Sequence, residues 1–348
     1  MSRVVVVIAT PLEPDLVALI AAADDRVEVR YQPDLLPPLR FAGDHRGTES
    51  FGRSPSQETR WRAMLEEGDV LFGLPGDSPK GLADAVRTCP RLRWVQATAG
   101  GAGEQVRAAD LTAAELSRVV ITRAGGVHAG PLAEFALLGL LAFTKGLPRL
   151  LADKQNRRWD HYPVAELAGA TLLIVGMGTV GEQVARLAKV MGMRVVAVNR
   201  TGRTDCAYVD EVRAATFMAE LLPAATGIVV TLPLTTETRG MIDAAAISRM
   251  RTDAVLVNVG RGGVVDEAAL VSALEQGHLK GAALDVFATE PLPSDSPLWT
   301  LPNVLISPHT AGLSSRENER IVALFIENLH RRLRGVELVS RVHPSQLA

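Results

Sequence analysis

Residues 171–203 read TLLIVGMGTVGEQVARLAKVMGMRVVAVNRTGR, and how this stretch folds decides the fold of the chain. Residues 171–175 are apolar or β-branched. The run is too short and too closely followed by glycine for a helix, so it reads as a buried parallel strand. Gly176-Met177-Gly178-Thr179-Val180-Gly181 follows with G-x-G-x-x-G spacing. Behind it, Val180, Val184, Leu187, Ala188 and Met191 recur at helical spacing as one apolar stripe, and residues 194–198 form a second strand. Gly176 allows the tight turn, Gly178 lets a pyrophosphate approach the backbone, and Gly181 lets helix and strand pack closely. The helix start offers unpaired N–H groups and a partial positive charge to phosphates. The spacing alone is weak, but strand, turn, amphipathic helix and second strand together imply a dinucleotide-binding unit.

At 348 residues the chain is expected to hold two domains. Hydrophobic residues make up 47% and charged residues 22%, an ordinary balance for a soluble globular protein. A net charge of −2 creates no field that recruits nucleic acid or an anionic membrane, so neither is an expected partner. Cys89 and Cys206 lie far apart with no C-x-x-C partner. That argues against a disulfide framework or a structural metal site and suits a cytoplasmic location. The opening MSRVVVVIAT reads as a first strand rather than a signal peptide. The longest apolar run, residues 132–143, carries Glu134 and is too short to span a bilayer. It is hard to bury within one lobe, which points to a helix packed against a second copy in a homodimer.

Outward from the central unit, the first hundred residues alternate strands (4–9, 27–31, 70–74, 94–97) with helices (15–22, 57–66, 81–87). Residues 33–55, rich in Pro, Gly, Ser and Arg, read as loop. This alternation implies a parallel sheet without a phosphate-binding turn, hence a flavodoxin-like substrate domain in an α/β protein of two lobes. The chain crosses over between residues 125 and 152. From residue 171 it continues through strands 227–231, 254–259, 282–287 and 304–307 and helices 238–250 and 267–275. That makes a doubly wound (Rossmann) sheet of about six strands. A final helix over 315–334 buries Ile321, Val322, Phe325, Ile326 and Leu329 and is expected to return to the first lobe. The dinucleotide-binding domain, residues 126–310, is thus inserted between residues 1–125 and 311–348 of the substrate domain.

Ligands in such sheets bind beyond the carboxyl ends of the strands. Arg261 follows the strand at 254–259, Asp285 and then Glu290 follow the next, and His309 follows the last. A cation, carboxylates and an imidazole beside a nucleotide turn point to hydride transfer. Hydride arriving at a ketone carbon leaves charge on its oxygen, which an imidazolium neutralises by delivering a proton. A carboxylate behind the ring orients it, and arginine binds a carboxylate through two parallel hydrogen bonds.

The stretches VQATAGGAG, GVHAGPLAEFAL, LIVGMGTVG, TLPLTTETRG, NVGRGGVVDE, ALDVFATEPLP and NVLISPHTAG stand in this order between about residue 90 and residue 315. With them the chain resembles the D-isomer-specific 2-hydroxyacid dehydrogenase family. The resemblance implies an oxidoreductase moving hydride between NAD(P)H and a small 2-keto acid such as glyoxylate, hydroxypyruvate or pyruvate. It implies that His309 is the acid/base, Glu290 its partner and Arg261 the substrate clamp. Gly100 and Gly101 would help hold the substrate carboxylate, and Asp285 would lie near the nicotinamide. Cofactor contacts would come from Gly176, Gly178, Thr179, Val180, Gly181, Leu232, Pro233, Thr238, Val259, Gly260, Asp285, His309, Ala311 and Gly312. Formate-oxidising members carry glutamine where Glu290 stands, which sets formate aside. The alternative is a nucleotide-sensing, corepressor-like member that keeps the same residues without turnover.

The cofactor's second phosphate is read at the end of the second strand. NAD enzymes of this fold place an acidic residue about 20 positions past the glycine turn. Here Asn199-Arg200-Thr201-Gly202-Arg203 stands instead, with no carboxylate until Asp205. Arg200 and Arg203 suit the charge of a 2′-phosphate, and Asn199 and Thr201 can donate hydrogen bonds, so NADP(H) is expected over NAD(H). The remaining histidines read as structural or surface groups: His45 and His161 in loops, His128 in the crossover, His278 ending a helix, and His330 and His343 in or beyond the last helix. Trp94, Trp159 and Trp299 read as packing residues.

Overall fold

Short runs of β-branched and aliphatic residues, each closed by a polar or glycine-containing turn, form parallel strands throughout a computed structural model that describes residues 3–48 and 50–342. His343 lies outside the described residues. The chain divides into two compact units: one runs to His128 and resumes at Leu313, and the other is Ala129–Gly312. The sequence placed these breaks after residues 125 and 310.

The first unit carries β1 (Val4–Ile8), β2 (Val27–Arg30), β3 (Val70–Phe72), β4 (Trp94–Gln96) and β5 (Val120–Thr122). They form one parallel sheet in the order β2-β1-β3-β4-β5, with Val6 opposite both Val29 and Val70. The strand order reverses between β1 and β3, so that point opens a crevice at the carboxyl ends of the strands. β5 was not expected from the sequence, although Val119-Val120-Ile121-Thr122 is a β-branched run. The last helix, Glu317–Leu333, packs in this unit's core. Phe325 stacks on Trp94 at 4.8 Å and meets Phe72 edge-on at 5.2 Å. Ile321, Val322, Phe325 and Leu329 are buried, while Ile326 is only half-buried.

The second unit carries β6 (Thr171–Val175), β7 (Arg194–Asn199), β8 (Glu211–Ala214), β9 (Gly227–Val230), β10 (Val255–Asn258), β11 (Gly281–Leu284) and β12 (Val304–Ile306). Their order is β12-β11-β10-β9-β6-β7-β8, all parallel. The sheet has seven strands rather than six, because β8 pairs with β7 at the edge. Glu-Val-Arg-Ala is half-buried along its length, and so short and mixed a run gives little pattern to read.

Two expectations change. The helix placed over 238–250 is confined to Ala244–Arg249. Gly240 takes a left-handed φ of +61°, Ile242 bridges to Val265, and Asp243 starts the helix by accepting from the Ala246 N–H at 2.8 Å. The apolar run 132–143 lies in the helix Ala129–Thr144, and only Glu134 and Leu138 of that run are exposed. Its small residues let it press onto the sheet of its own unit. A Cβ at Gly139 would stand 2.5 Å from that of Ala283. The difficulty of burying this helix within one lobe, from which a dimer was argued, is therefore absent. Among the described residues no single helix is long and apolar enough to cross a membrane.

Candidate active site

The glycine turn has the form its spacing requires. Gly176 sits at φ +110°, and a Cβ at Gly181 would fall 2.2 Å from the Gly176 carbonyl oxygen. Gly178 opens the helix Thr179–Val190 without any side-chain cap, and a Cβ there would meet open space. Exposed first-turn N–H groups facing open space fit a pyrophosphate. Thr179 is exposed and Val180 half-buried beside them. Across the sheet, the Thr231 hydroxyl donates to the Gly176 carbonyl at 2.9 Å. Leu232 and Pro233 follow, and Thr238 donates to the Pro233 carbonyl at 2.7 Å.

The loop after β7 differs from the expectation in one respect. Asn199 was read as a donor to the 2′-phosphate, but its amide holds the loop itself. Its Oδ1 accepts from the N–H groups of Thr201 (3.1 Å) and Gly202 (2.7 Å), and its Nδ2 donates to the Arg203 carbonyl (2.7 Å). The Thr201 hydroxyl also turns to Asn199, at 3.3 Å. Asn199 thus shapes the loop, an Asx-type turn in which a short amide side chain replaces backbone partners. Arg200 and Arg203 remain exposed on it. A hydrogen bond from Thr235, and more weakly the charge of Arg200, hold the Glu237 carboxyl below its usual range.

Three strand ends, those of β10, β11 and β12, carry Arg261, Asp285 and His309 on one side of the second sheet. After β10, buried Asn258 accepts from the Gly260 N–H at 3.0 Å and donates to the Arg261 carbonyl at 3.1 Å, which fixes the turn Val259-Gly260-Arg261. Glycine is obligatory at 262, where a Cβ would lie 1.9 Å from the Phe287 carbonyl carbon. Arg261 is half-buried, with Nη1 donating to the Gly260 carbonyl at 2.8 Å. After β11, Asp285 is 1% exposed and accepts from the Ser307 hydroxyl (2.7 Å) and the Ala311 N–H (2.9 Å). Burial pushes its carboxyl above the ordinary range. Asp285 therefore ties the end of β11 to the turn that carries His309 and leads to Gly312.

His309 sits on that turn at φ +56°, its N–H donating to the Ser307 carbonyl at 2.9 Å. Its Nδ1 lies 2.7 Å from Glu290 Oε2, while Glu290 Oε1 accepts from the Phe287 N–H at 3.0 Å. A carboxylate held at both oxygens fixes the ring, with Nδ1 turned to Glu290 and Nε2 away from it. The His309 side chain is 49% exposed.

Gly100 and Gly101 belong to the first unit, just past β4. Arg123 donates to the Gly100 carbonyl at 3.0 Å, and among the described residues neither glycine's N–H enters a hydrogen bond. Next to them is a cluster the sequence did not reveal. His128 Nε2 lies 3.0 Å and His45 Nε2 3.8 Å from the same Oε1 of Glu317, which is 3% exposed. Burial raises the Glu317 carboxyl, but the hydrogen bond from His128 and the nearby His45 outweigh it and bring the value down to about 2. Asn258, which shapes the Arg261 turn, and Glu317, which pairs with His128, are positions that sequence reasoning missed. A polar residue ending an apolar strand was the available signal for Asn258. Glu317 had none, because Ser-Arg-Glu-Asn-Glu-Arg reads as a solvated helix start.

Residues 137–311 match the family model for the D-isomer-specific 2-hydroxyacid dehydrogenase, NAD-binding domain. The chain is 34% identical to a glyoxylate reductase of Korarchaeum cryptofilum over 76% of this chain and 80% of that protein. It is 33% identical to a D-3-phosphoglycerate dehydrogenase of Methanocaldococcus jannaschii over 80% of this chain and 52% of that one, so it spans about half that relative's length. Among solved structures, a D-isomer-specific 2-hydroxyacid dehydrogenase from Xanthobacter autotrophicus Py2, in complex with NADPH and MES, superposes with a TM-score of 0.77. It has 28% identity and full coverage of both chains.

Proposed function

Since the chain belongs to the D-isomer-specific 2-hydroxyacid dehydrogenase family, we propose that it reduces a small 2-keto acid of the glyoxylate or hydroxypyruvate class to the D-2-hydroxy acid. The observation that carries this reading is the 2.7 Å contact between His309 Nδ1 and Glu290 Oε2, which leaves Nε2 for the substrate. When bound, a reduced nicotinamide supplies the hydride. His309 gives the proton from Nε2 to the keto oxygen as charge develops there, and Glu290 stabilises the imidazolium before that transfer. Arg261 binds the substrate carboxylate through its planar guanidinium.

The cofactor is NADP(H) in preference to NAD(H). The support is the pair of exposed arginines, Arg200 and Arg203, on a loop whose shape Asn199 holds. The chain forms a homodimer, supported by the exposed apolar Leu138, Leu150, Leu151 and Trp159. Light scattering at micromolar concentration should give twice the chain mass. Oxidation of NADPH and NADH with a panel of 2-keto acids tests the activity. Turnover should be found with glyoxylate or hydroxypyruvate and be more efficient with NADPH, and no turnover with any 2-keto acid would refute the reading.

A further inference from the structure

His309 stands in a backbone conformation that is costly for its residue type. Its φ of +56° lies in the left-handed region, where a residue with a Cβ is disfavoured. Such a residue persists only where its surroundings over-determine it. Part of the hold is local. The His309 N–H donates to the Ser307 carbonyl at 2.9 Å, an i→i+2 bond across Pro308, and the proline ring fixes φ at the centre of that turn. The rest comes from side chains. Ser307, 8% exposed, donates its hydroxyl hydrogen to Asp285 Oδ1 at 2.7 Å. A hydroxyl has one hydrogen, so the 3.2 Å contact between Ser307 and Thr310 runs the other way, with Thr310 donating to Ser307. The Ala311 N–H donates to the same Asp285 oxygen at 2.9 Å. Residues 307, 310 and 311 are thus gathered on one buried carboxylate oxygen, and His309 lies between them. Asp285 is itself anchored, because its N–H donates to the Asn258 carbonyl at 3.1 Å. All of these groups belong to the second unit.

We propose that Ser307 is a positioning residue for proton transfer: the Thr310–Ser307–Asp285 chain of hydrogen bonds holds the left-handed turn, and the turn aims the His309 ring at Glu290. This deepens the reductase reading and rests on it. Ser307 acts through His309, since its hydroxyl hydrogen is already given to Asp285. Glu290 does not suffice for the task. It meets the ring at 2.7 Å, but both side chains are exposed enough for water to compete with that contact. A ring tethered only at an exposed atom swings with its backbone, and a misplacement of about 1 Å in a reacting group can cost about a hundredfold in rate. Ser307 supplies the buried anchor two residues before the ring, where water does not compete.

The test pairs steady-state kinetics with proton–nitrogen correlation spectra of the full chain. Ser307→Ala should lower kcat about tenfold or more, while the keto-acid KM and the NADPH affinity stay within about threefold. Ser307→Thr keeps the hydroxyl and should restore the rate. Thr310→Val removes only the outer donor and should cost less, and adding it to Ser307→Ala should change little further, because it acts through the same hydroxyl. In the His309→Gln background, Ser307→Ala should leave the residual rate within about twofold. In the spectra, the His309 Nδ1–H signal, identified by its loss in His309→Gln, should broaden or vanish in Ser307→Ala and persist in Ser307→Thr. A kcat loss under about twofold in Ser307→Ala, or an equal loss with His309 already replaced, overturns the proposal. So does an Nδ1–H signal that Ser307→Ala leaves unchanged. A signal that responds as expected, in a protein that turns over no 2-keto acid, instead overturns the reductase reading and leaves the positioning role standing.

Discussion

The two histidine–carboxylate pairs of this protein are alike in geometry and opposite in surroundings. His309 and Glu290 meet at 2.7 Å with side chains 49% and 36% exposed, whereas His128 and Glu317 meet at 3.0 Å with 18% and 3% exposed. An exposed pair gains little net free energy, because water screens both charges, but its outer nitrogen stays open to exchange a proton. A buried pair has lost its water, so each partner depends on the other, and removing one strands a charge. The same two residue types are thus open to proton exchange in one unit and locked to each other in the other.

The sharpest way to break that comparison is to exchange the mutations. His309→Gln should lower kcat by about 10²–10⁴ with NADPH binding retained, because only the proton donor is lost. His128→Gln should leave kcat within about threefold, and a large kcat loss there would merge the two roles.

Stability should show the reverse order. The Glu317 carboxyl, lowered from 4.5 to about 2, contributes stability that is fully present above its unfolded value and is lost as the pH falls through about 2. Chemical denaturation at pH 7 should therefore find Glu317→Gln less stable by about 3 kcal/mol, a difference that shrinks between about pH 4.5 and pH 2. Glu290→Gln should cost under about 1 kcal/mol at pH 7. Equal losses in the two variants would mean that burial does not separate the pairs.

Smaller effects sharpen the picture around the exposed pair. Arg261→Lys keeps the charge but loses the two-pronged contact, so the keto-acid KM should rise about tenfold or more, and a change within twofold would remove Arg261 as the clamp. Smallest is Arg200→Ala, on a loop distant in sequence from both pairs. NADPH efficiency should fall by about tenfold while NADH efficiency changes little, as measured by kcat/KM for each cofactor. Equal loss with both cofactors would place Arg200 outside phosphate recognition.

Much of the second unit was legible because its signals are local. Glycine at 176, 178 and 181 answers steric demands within one turn, and residues 258–267 carry their own strand, cap and glycine pair. The places of His309 and Glu290 were legible for the same reason: each stands after a readable strand, within 19 positions of the other. Less was legible where burial overrode pattern. The helix Ala129–Thr144 reads as a surface too apolar for one lobe, yet Ala133, Ala136 and Gly139 are small enough for it to sink into its own core. Asn199 reads as a free donor, yet the turn around it takes its carbonyl and an N–H.

From periodicity and glycine spacing the sequence by itself determined the alternating α/β class and the dinucleotide turn, and it set Glu290 and His309 just past strand ends. These are properties of a few consecutive residues and need no partner elsewhere. Only the tertiary structure decided that Glu317 meets His128 across 189 positions, that His128 stands beside Gly100, and that Asp285 lies buried beneath the His309 turn. The physical reason is that desolvation and side-chain pairing depend on what packs around a residue. No local pattern records which distant strand end or helix start will arrive there.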